Sequence, residues 1–445
     1  MTSLRPTYSL LRTCRWLLLA LGMLAGAGPA AAQIGLPGLP QLPGGGLSRL
    51  GDSGLRDRLR QPLLDTTELP RKVALDQIRL VTARELLQKH PAQLEPDPSG
   101  FPIVRREILA WSPSAAGLAA AAASGLAVIS RREMSEIGQT LVTLRVPENG
   151  ATAETLSTLR AADPDGIYDF DHIYLDAGSG AEAAHPAPGS AGSGTDADGV
   201  RVGLIDSGID VRHEVFEKAR IERWGCEGAA HPAPHGTAVA ALMIGKSERF
   251  AGAAPGARLF AADIYCDQPT GGSASQIVQA LAWLAKERVG VINISLVGPP
   301  NQLLGRVVQA MVARGHLLVA AVGNDGPAAP PLYPASYPGV IGVTGVDPRR
   351  KPLPEAARGP QVMFAAPGSQ MAAAAIGTPP YKLVRGTSFA APLVAALLAP
   401  KLPSPSPALA FEAISALAAV ASAAGDGTGR GVVGEKLRTP PSAFR

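Results

Sequence analysis

From residue 200 onward, short unbroken apolar runs at 202–205, 259–264, 289–294, 317–322 and 340–343 alternate with helical spacing at 237–245, 275–287, 303–313 and 390–398. A strand with one wet face alternates apolar and polar residues, so runs without alternation are buried on both faces. Two-sided burial with interleaved helices predicts a largely parallel sheet flanked by helices, the α/β class. This reading assigns 200–434 to one α/β domain and 435–445 to a C-terminal tail. No internal repeat interrupts it.

A smaller unit precedes it. Residues 104–111, 126–130, 140–146 and 167–175 read as strands, and 115–124 and 152–162 as helices. The order β-α-β-β-α-β over 103–175 is a ferredoxin-like split motif of the α+β kind. Residues 176–199, rich in Gly, Ala, Ser, Pro and Asp, read as a linker. Residues 33–102 form a Gly/Pro/Leu-rich lead-in with a short helix over 75–89, ended by Pro91.

Arg5, Arg12 and Arg15 precede an apolar run over 16–27, and Ala30, Ala31 and Ala32 stand before Gln33. This is the layout of a signal peptide over 1–32. A membrane anchor is the alternative, although 16–32 is short for a span. The expectation is export to the periplasm or the extracellular space, with no stable membrane anchor once the leader is gone. The alanine-rich stretch 408–424 carries Glu412 and reads as a soluble helix. A content of 46% hydrophobic and 18% charged residues excludes a wholly disordered chain. The formal charge of +4 gives no case for nucleic acid. Cys14 would leave with the leader. Cys226 and Cys266 then form either one disulfide or two buried thiols, since sequence does not supply the geometry.

Four segments of the α/β domain carry chemistry. Val202-Gly203-Leu204-Ile205-Asp206-Ser207-Gly208 sets Asp206 at the carboxyl end of a buried strand, where ligands and catalytic groups gather. His235-Gly236-Thr237 opens a helix, with Pro232 and Pro234 keeping His235 just ahead of it. Gly386-Thr387-Ser388-Phe389-Ala390-Ala391-Pro392 puts Ser388 at a helix start, whose free N–H groups favour an oxyanion. Serine needs a base to take its proton, normally a histidine oriented by a buried carboxylate. Asn324, in Ala320-Ala321-Val322-Gly323-Asn324-Asp325-Gly326, follows another buried strand and offers an amide donor.

These boxes, in the order Asp, His, Asn, Ser, resemble those of the subtilisin-like serine proteases, the subtilase family. The resemblance covers about 200–434. It implies a subtilisin-like parallel sheet flanked by helices, with Asp206 orienting His235, His235 as general base, Ser388 as nucleophile and Asn324 at the oxyanion. It further implies a secreted serine endopeptidase acting on protein or peptide substrates. No cofactor is required; structural calcium is compatible with the resemblance, but no loop around Asp210 or Asp263 is rich enough in carboxylates to nominate a site. Many subtilases carry a ferredoxin-like propeptide that assists folding, inhibits the site and is cleaved off. Residues 103–175 fit that role of self-processing zymogen and intramolecular inhibitor, or that of a retained accessory domain. A slow-folding parallel sheet favours the first, with self-cleavage between 175 and 199.

Some positions depart from the family. Ala238 and Leu393 stand where histidines are common. The strip Ser295-Leu296-Val297-Gly298 resembles the backbone that pairs with extended substrate, but Val297 replaces a usual glycine. That valine either narrows the cleft near the residue before the cut or points aside. His231 and His235 have a metal-binding spacing, yet Pro232 and Pro234 forbid a helix between them, so no metal site is assigned. His213 is expected at the surface, and Asn293 as a satisfied core group. The alternative function is a catalytically silent peptide-binding module. An α/β-hydrolase esterase fits less well, because the serine comes last and lacks a G-x-S-x-G elbow.

Overall fold

Helix α1 (Ile78–Lys89) ends just ahead of Pro91, which has no N–H to extend it. The computed structural model describes residues 78–177, 199–423 and 425–444, all within one compact unit, Asp65–Arg445. The expected leader over 1–32, the lead-in up to 77 and the linker stretch 178–198 lie outside the described residues.

After α1 come β1 (Leu94–Pro96), β2 (Pro102–Trp111), α2 (Ala115–Ala123), β3 (Ala127–Met134), β4 (Gln139–Arg145), α3 (Thr152–Ala162) and β5 (Ile167–His172). Strands β5, β2, β4 and β3 lie in that order, all antiparallel, and β1 joins the start of β2. Ser114 caps α2 by accepting from the Gly117 N–H. Because side chains alternate along a strand, Ile108, Ala110, Val142 and Leu144 pack with Leu156 and Leu159 of α3. Leu109, Trp111 and Leu141 turn the other way and join the core of the large domain. Burial on both faces is why 108–111 reads as a continuous apolar run.

The large domain follows: β6 (Leu175–Asp176), β7 (Arg201–Asp206), β8 (Arg220–Trp224), α4 (Pro234–Ile244), β9 (Arg258–Asp263), α5 (Ala274–Lys286), β10 (Val291–Ile294) and β11 (Leu296–Val297). Then come α6 (Gln302–Ala313), β12 (Leu317–Ala321), β13 (Ile341–Val346), β14 (Val362–Pro367), β15 (Met371–Ala374), β16 (Tyr381–Val384), α7 (Thr387–Leu398) and α8 (Pro407–Ala419). Seven strands form a parallel sheet ordered β14-β13-β12-β10-β7-β9-β8. Val202, Leu204, Val319 and Ala321 face α4 and α7 on one side. Ile205, Ile292, Ile294, Leu318 and Ala320 face α5 and α6 on the other. The strand order reverses between β7 and β10, which makes their carboxyl ends the topological switch point where ligands bind in such sheets. No helix among the described residues is long and apolar enough to cross a membrane.

The structure corrects several boundaries. The strand expected over 167–175 is two: β5 stays in the small sheet, while β6 pairs antiparallel with β11 of the large domain. Asp176 and Ala177 are therefore placed residues, not linker. The small unit begins by Leu94, since β1 belongs to its sheet. The expected tail packs on the domain, with Leu437 in its core and the Arg438 guanidinium donating to the Ser369, Val346 and Asp347 carbonyls. Strand β8 carries no apolar run, because it is an edge strand with outward polar residues. The strands of the β15–β16 hairpin are short, and the alanines of β15 and of the second half of β14 have little strand propensity.

Candidate active site

The four boxes lock in two pairs, that of Asp206 with that of His235 and that of Asn324 with that of Ser388. Asp206 ends β7, 1% exposed, and accepts from the Ser207 N–H and hydroxyl. The Ser207 hydroxyl oxygen accepts from Gly236 N–H at 3.0 Å, and the Thr237 hydroxyl oxygen accepts from Asp210 N–H at 2.9 Å. A side chain on Gly236 would strike the Ser207 carbonyl, and one on Gly208 the His231 carbonyl. These glycines let the α4 start rest directly on the end of β7. His235 Nδ1 then lies 2.9 and 3.1 Å from the two Asp206 oxygens. Pro234 opens α4, so His235 sits inside its first turn and not ahead of it, as expected from sequence. Proline at that position costs nothing, because the first helical N–H has no intrahelical partner.

Ser388 is the second residue of α7, fully buried, with Gly386 at φ 136° before it. Pro392, four residues on, has no N–H, so the Ser388 carbonyl loses its helical donor. The Ser295 hydroxyl supplies one at 2.9 Å, and Asn293 Nδ2 in turn donates to that hydroxyl at 2.8 Å. Asn293 Oδ1 has no partner among the described residues, so this asparagine is half satisfied, contrary to expectation. Asn324 Oδ1 accepts from Thr387 N–H at 3.1 Å, and the Thr387 hydroxyl oxygen accepts from Gly323 N–H. With its oxygen engaged, the Asn324 amide turns Nδ2 into the cleft. The His235 ring tilts over Phe389 at 5.3 Å, beside Ser388. His235 Nε2 and Ser388 Oγ are buried without hydrogen-bond partners among the described residues.

The chain's own residues fill the cleft. β6 pairs with β11, Asp176 opposite Leu296 and Leu175 opposite Val297. Ala177 N–H donates to the Ser295 carbonyl at 3.2 Å, and Asn324 Nδ2 donates to the Ala177 carbonyl. Tyr174 N–H donates to the Gly272 carbonyl on the opposite wall. Of the expected substrate strip, Ser295, Leu296 and Val297 touch this segment through their backbones. Gly298 instead pairs with Tyr333, and its missing side chain makes room for the Tyr174 ring. Val297 is buried in the same apolar cluster as Ala177, and its Cγ1 would lie 3.6 Å from a Cβ on Gly323. Sequence reasoning missed Tyr174, Asp176, Ala177 and Tyr265 as site residues. Nothing in their local pattern marks them; only the pairing of β6 with β11 does.

Asp176 Oδ1 stands 3.8 Å from His235 Nδ1, beside Asp206. Burial pushes the imidazole pKa down, but the two carboxylates outweigh it and raise it to about 9. Partial burial pushes the Asp176 pKa up, although its side chain is 40% exposed, against His235 and a hydrogen bond with Tyr265 that pull it down. Asp176, Asp206 and His235 offer ligand atoms within 4.8 Å of one another. An imidazole nitrogen between two carboxylates is well matched by a proton, and no metal ligand is assigned to it. Cys226 and Cys266 are joined in a disulfide closing 40 residues. His213, expected at the surface, is buried, with Nε2 2.7 Å from the Pro380 carbonyl.

Fold and site together define an α/β protein with an Asp-His-Ser constellation at the carboxyl edge of a parallel sheet. A model of the subtilase family matches residues 197–427, and the chain belongs to that family. It is 32% identical over 225 residues to subtilisin Savinase of Lederbergia lenta, covering 49% of this chain and 82% of that protein. It is 29% identical over 209 residues to the minor extracellular protease Epr of Bacillus subtilis strain 168, covering 45% of this chain. The match takes in 31% of Epr's length. Among solved structures, fervidolysin from Fervidobacterium pennivorans, described as a keratinolytic enzyme related to subtilisin, is alike in fold. Its TM-score is 0.62 at 18% identity, over 79% of this chain and 62% of that one.

Proposed function

We propose that this subtilase is an exported serine endopeptidase, made as a zymogen that cuts itself after Ala177. The observation that carries the reading is the Ala177 carbonyl held by Asn324 Nδ2 beside Ser388 and an Asp206-oriented His235. In this reading His235 Nε2 takes the Ser388 proton, and Oγ adds to the carbonyl carbon. The tetrahedral oxygen is met by Asn324 Nδ2, whose amide is already turned, so no reorganisation is needed as charge develops. His235 returns the proton to the leaving amine, and water repeats the sequence on the acyl-serine. Asp206 keeps Nδ1 protonated and oriented throughout. Base, nucleophile and oxyanion donor all belong to the chain, so the steps call for no cofactor. Structural calcium would then affect stability and not the initial rate.

The unit from α1 to β5 acts in this reading as propeptide and intramolecular inhibitor, its β6 extension occupying the substrate strip. Substrates are proteins or peptides whose extended backbone replaces β6. The reading also places the chain in the periplasm or outside the cell, supported by the leader pattern over 1–32. The test is expression of the full chain as wild type and as Ser388→Ala, followed by intact mass and casein hydrolysis. Wild type should yield a piece starting at residue 178 and digest casein, while the variant stays whole and inert. Equal trimming of both proteins would assign the cut to another protease. A folded, untrimmed and inert wild type would favour the peptide-binding module.

A further inference from the structure

The segment 174–177 lies in the cleft as a bound peptide, and its side chains meet walls of very different build. Leu175 is partly exposed, so its position imposes little selection, and Asp176 faces the polar groups of His235 and Tyr265. Ala177 is only 3% exposed and shares its cluster with Val297 and Leu332. A Cβ on Gly323 would lie 2.4 Å from Leu332 Cδ1 and 3.6 Å from Val297 Cγ1. Two branched side chains therefore fill the space between the strips 295–298 and 320–324 that flank the cut. A residue larger than alanine must displace both, in an interior that has no slack.

Tyr174 is completely buried against Gly298, where any Cβ would come within 2.5 Å of the ring. Its hydroxyl donates to the Pro299 carbonyl at 2.9 Å, and its carbonyl accepts from the Tyr265 hydroxyl at 3.0 Å. Phenylalanine would fit the ring space and leave the Pro299 carbonyl without that donor. Sites built around a substrate hydroxyl reject the analogue lacking it more strongly than apolar pockets reject a methylene.

We propose that the cleft selects extended peptides with alanine or glycine at the cut and tyrosine three residues before it, Val297 and Leu332 setting the first preference and Pro299 the second. The proposal rests on the endopeptidase reading above. Its test uses the full chain collected after processing, with p-nitroanilides of Tyr-Leu-Asp-Ala, Tyr-Leu-Asp-Phe and Phe-Leu-Asp-Ala. The alanine peptide should exceed its phenylalanine counterpart at the cut by about 100-fold in kcat/KM, and tyrosine should exceed phenylalanine at the fourth position by about tenfold or more. Val297→Gly and, separately, Leu332→Ala should each lower the alanine-to-phenylalanine ratio at the cut at least about tenfold. A fluorophosphonate probe reads Ser388 without any peptide side chain. Labelled enzyme that cuts after phenylalanine within about threefold of alanine overturns the selectivity and leaves the function standing. Protein that neither labels nor hydrolyses overturns both.

Discussion

At the scale of single residues, Asn324 links two parts of the site. Its Oδ1 is held by Thr387 N–H, and its Nδ2 meets the Ala177 carbonyl. Asn324→Ala should lower kcat by about 10²–10³ with little change in KM, since the lost donor acts mainly on the developing oxyanion. A comparable loss confined to KM would place Asn324 in ground-state binding instead. Asp176 acts on His235 through charge. In the docked state the imidazole pKa is raised to about 9, and the base form exists only above the pKa. Self-processing should therefore speed up as pH rises towards 9. Asp176→Asn removes one of the two carboxylates, lowers that pKa and should move the midpoint of the processing profile to lower pH. Pulse-chase profiles of the two proteins that superpose would refute the coupling.

At the scale of elements, the disulfide ties the turn after β8 to the loop after β9. That loop carries Tyr265, whose hydroxyl holds the Tyr174 carbonyl, and the backbone of Cys266 and Asp267 lies at positive φ. Cys266 N–H and Tyr265 N–H both donate to Asp263 Oδ1, so the loop is also held from the sheet edge. Replacing Cys226 and Cys266 by serine should cost about 2–5 kcal/mol of stability. It should also raise KM for peptides that reach the Tyr265 wall, leaving kcat nearly as before. Thermal melts together with peptide kinetics check both halves. An unchanged melting temperature would mean that Asp263 alone secures the loop.

At the scale of the whole molecule, the small unit sets two carboxylates on the starts of two helices. Asp169 accepts from Gln302 N–H at 2.6 Å, and Asp171 accepts from the Ser275 N–H and hydroxyl. Free N–H groups and the positive dipole end make these good anion positions. Burial nevertheless pushes Asp171 up to about 7, with Glu107 adding to it and Ser275 and His172 opposing. The docked state thus holds a proton that a detached unit, with an ordinary carboxyl, would release. Docking should be tightest below the ordinary carboxylate range and weaken as pH rises to about 7. Asp176, raised when docked, pushes the same way, and so does its attraction for a protonated His235. Residual inhibition in processed material should accordingly fall between mildly acid and alkaline pH, and inhibition that strengthens over that range would contradict the assignment. The α/β class, the parallel sheet and the four chemical boxes are legible in the residues alone. Two-sided burial removes polar alternation from a strand, and each box combines a reactive side chain with the glycine or proline that its turn requires. Long-range packing set the rest: 175–176 leaves the small sheet, Val297 and Leu332 fill the space over Gly323, and the tail joins the core. Those facts depend on which distant backbone offers a free edge or which side chain reaches a gap, and such pairings across a hundred residues leave no local period to read.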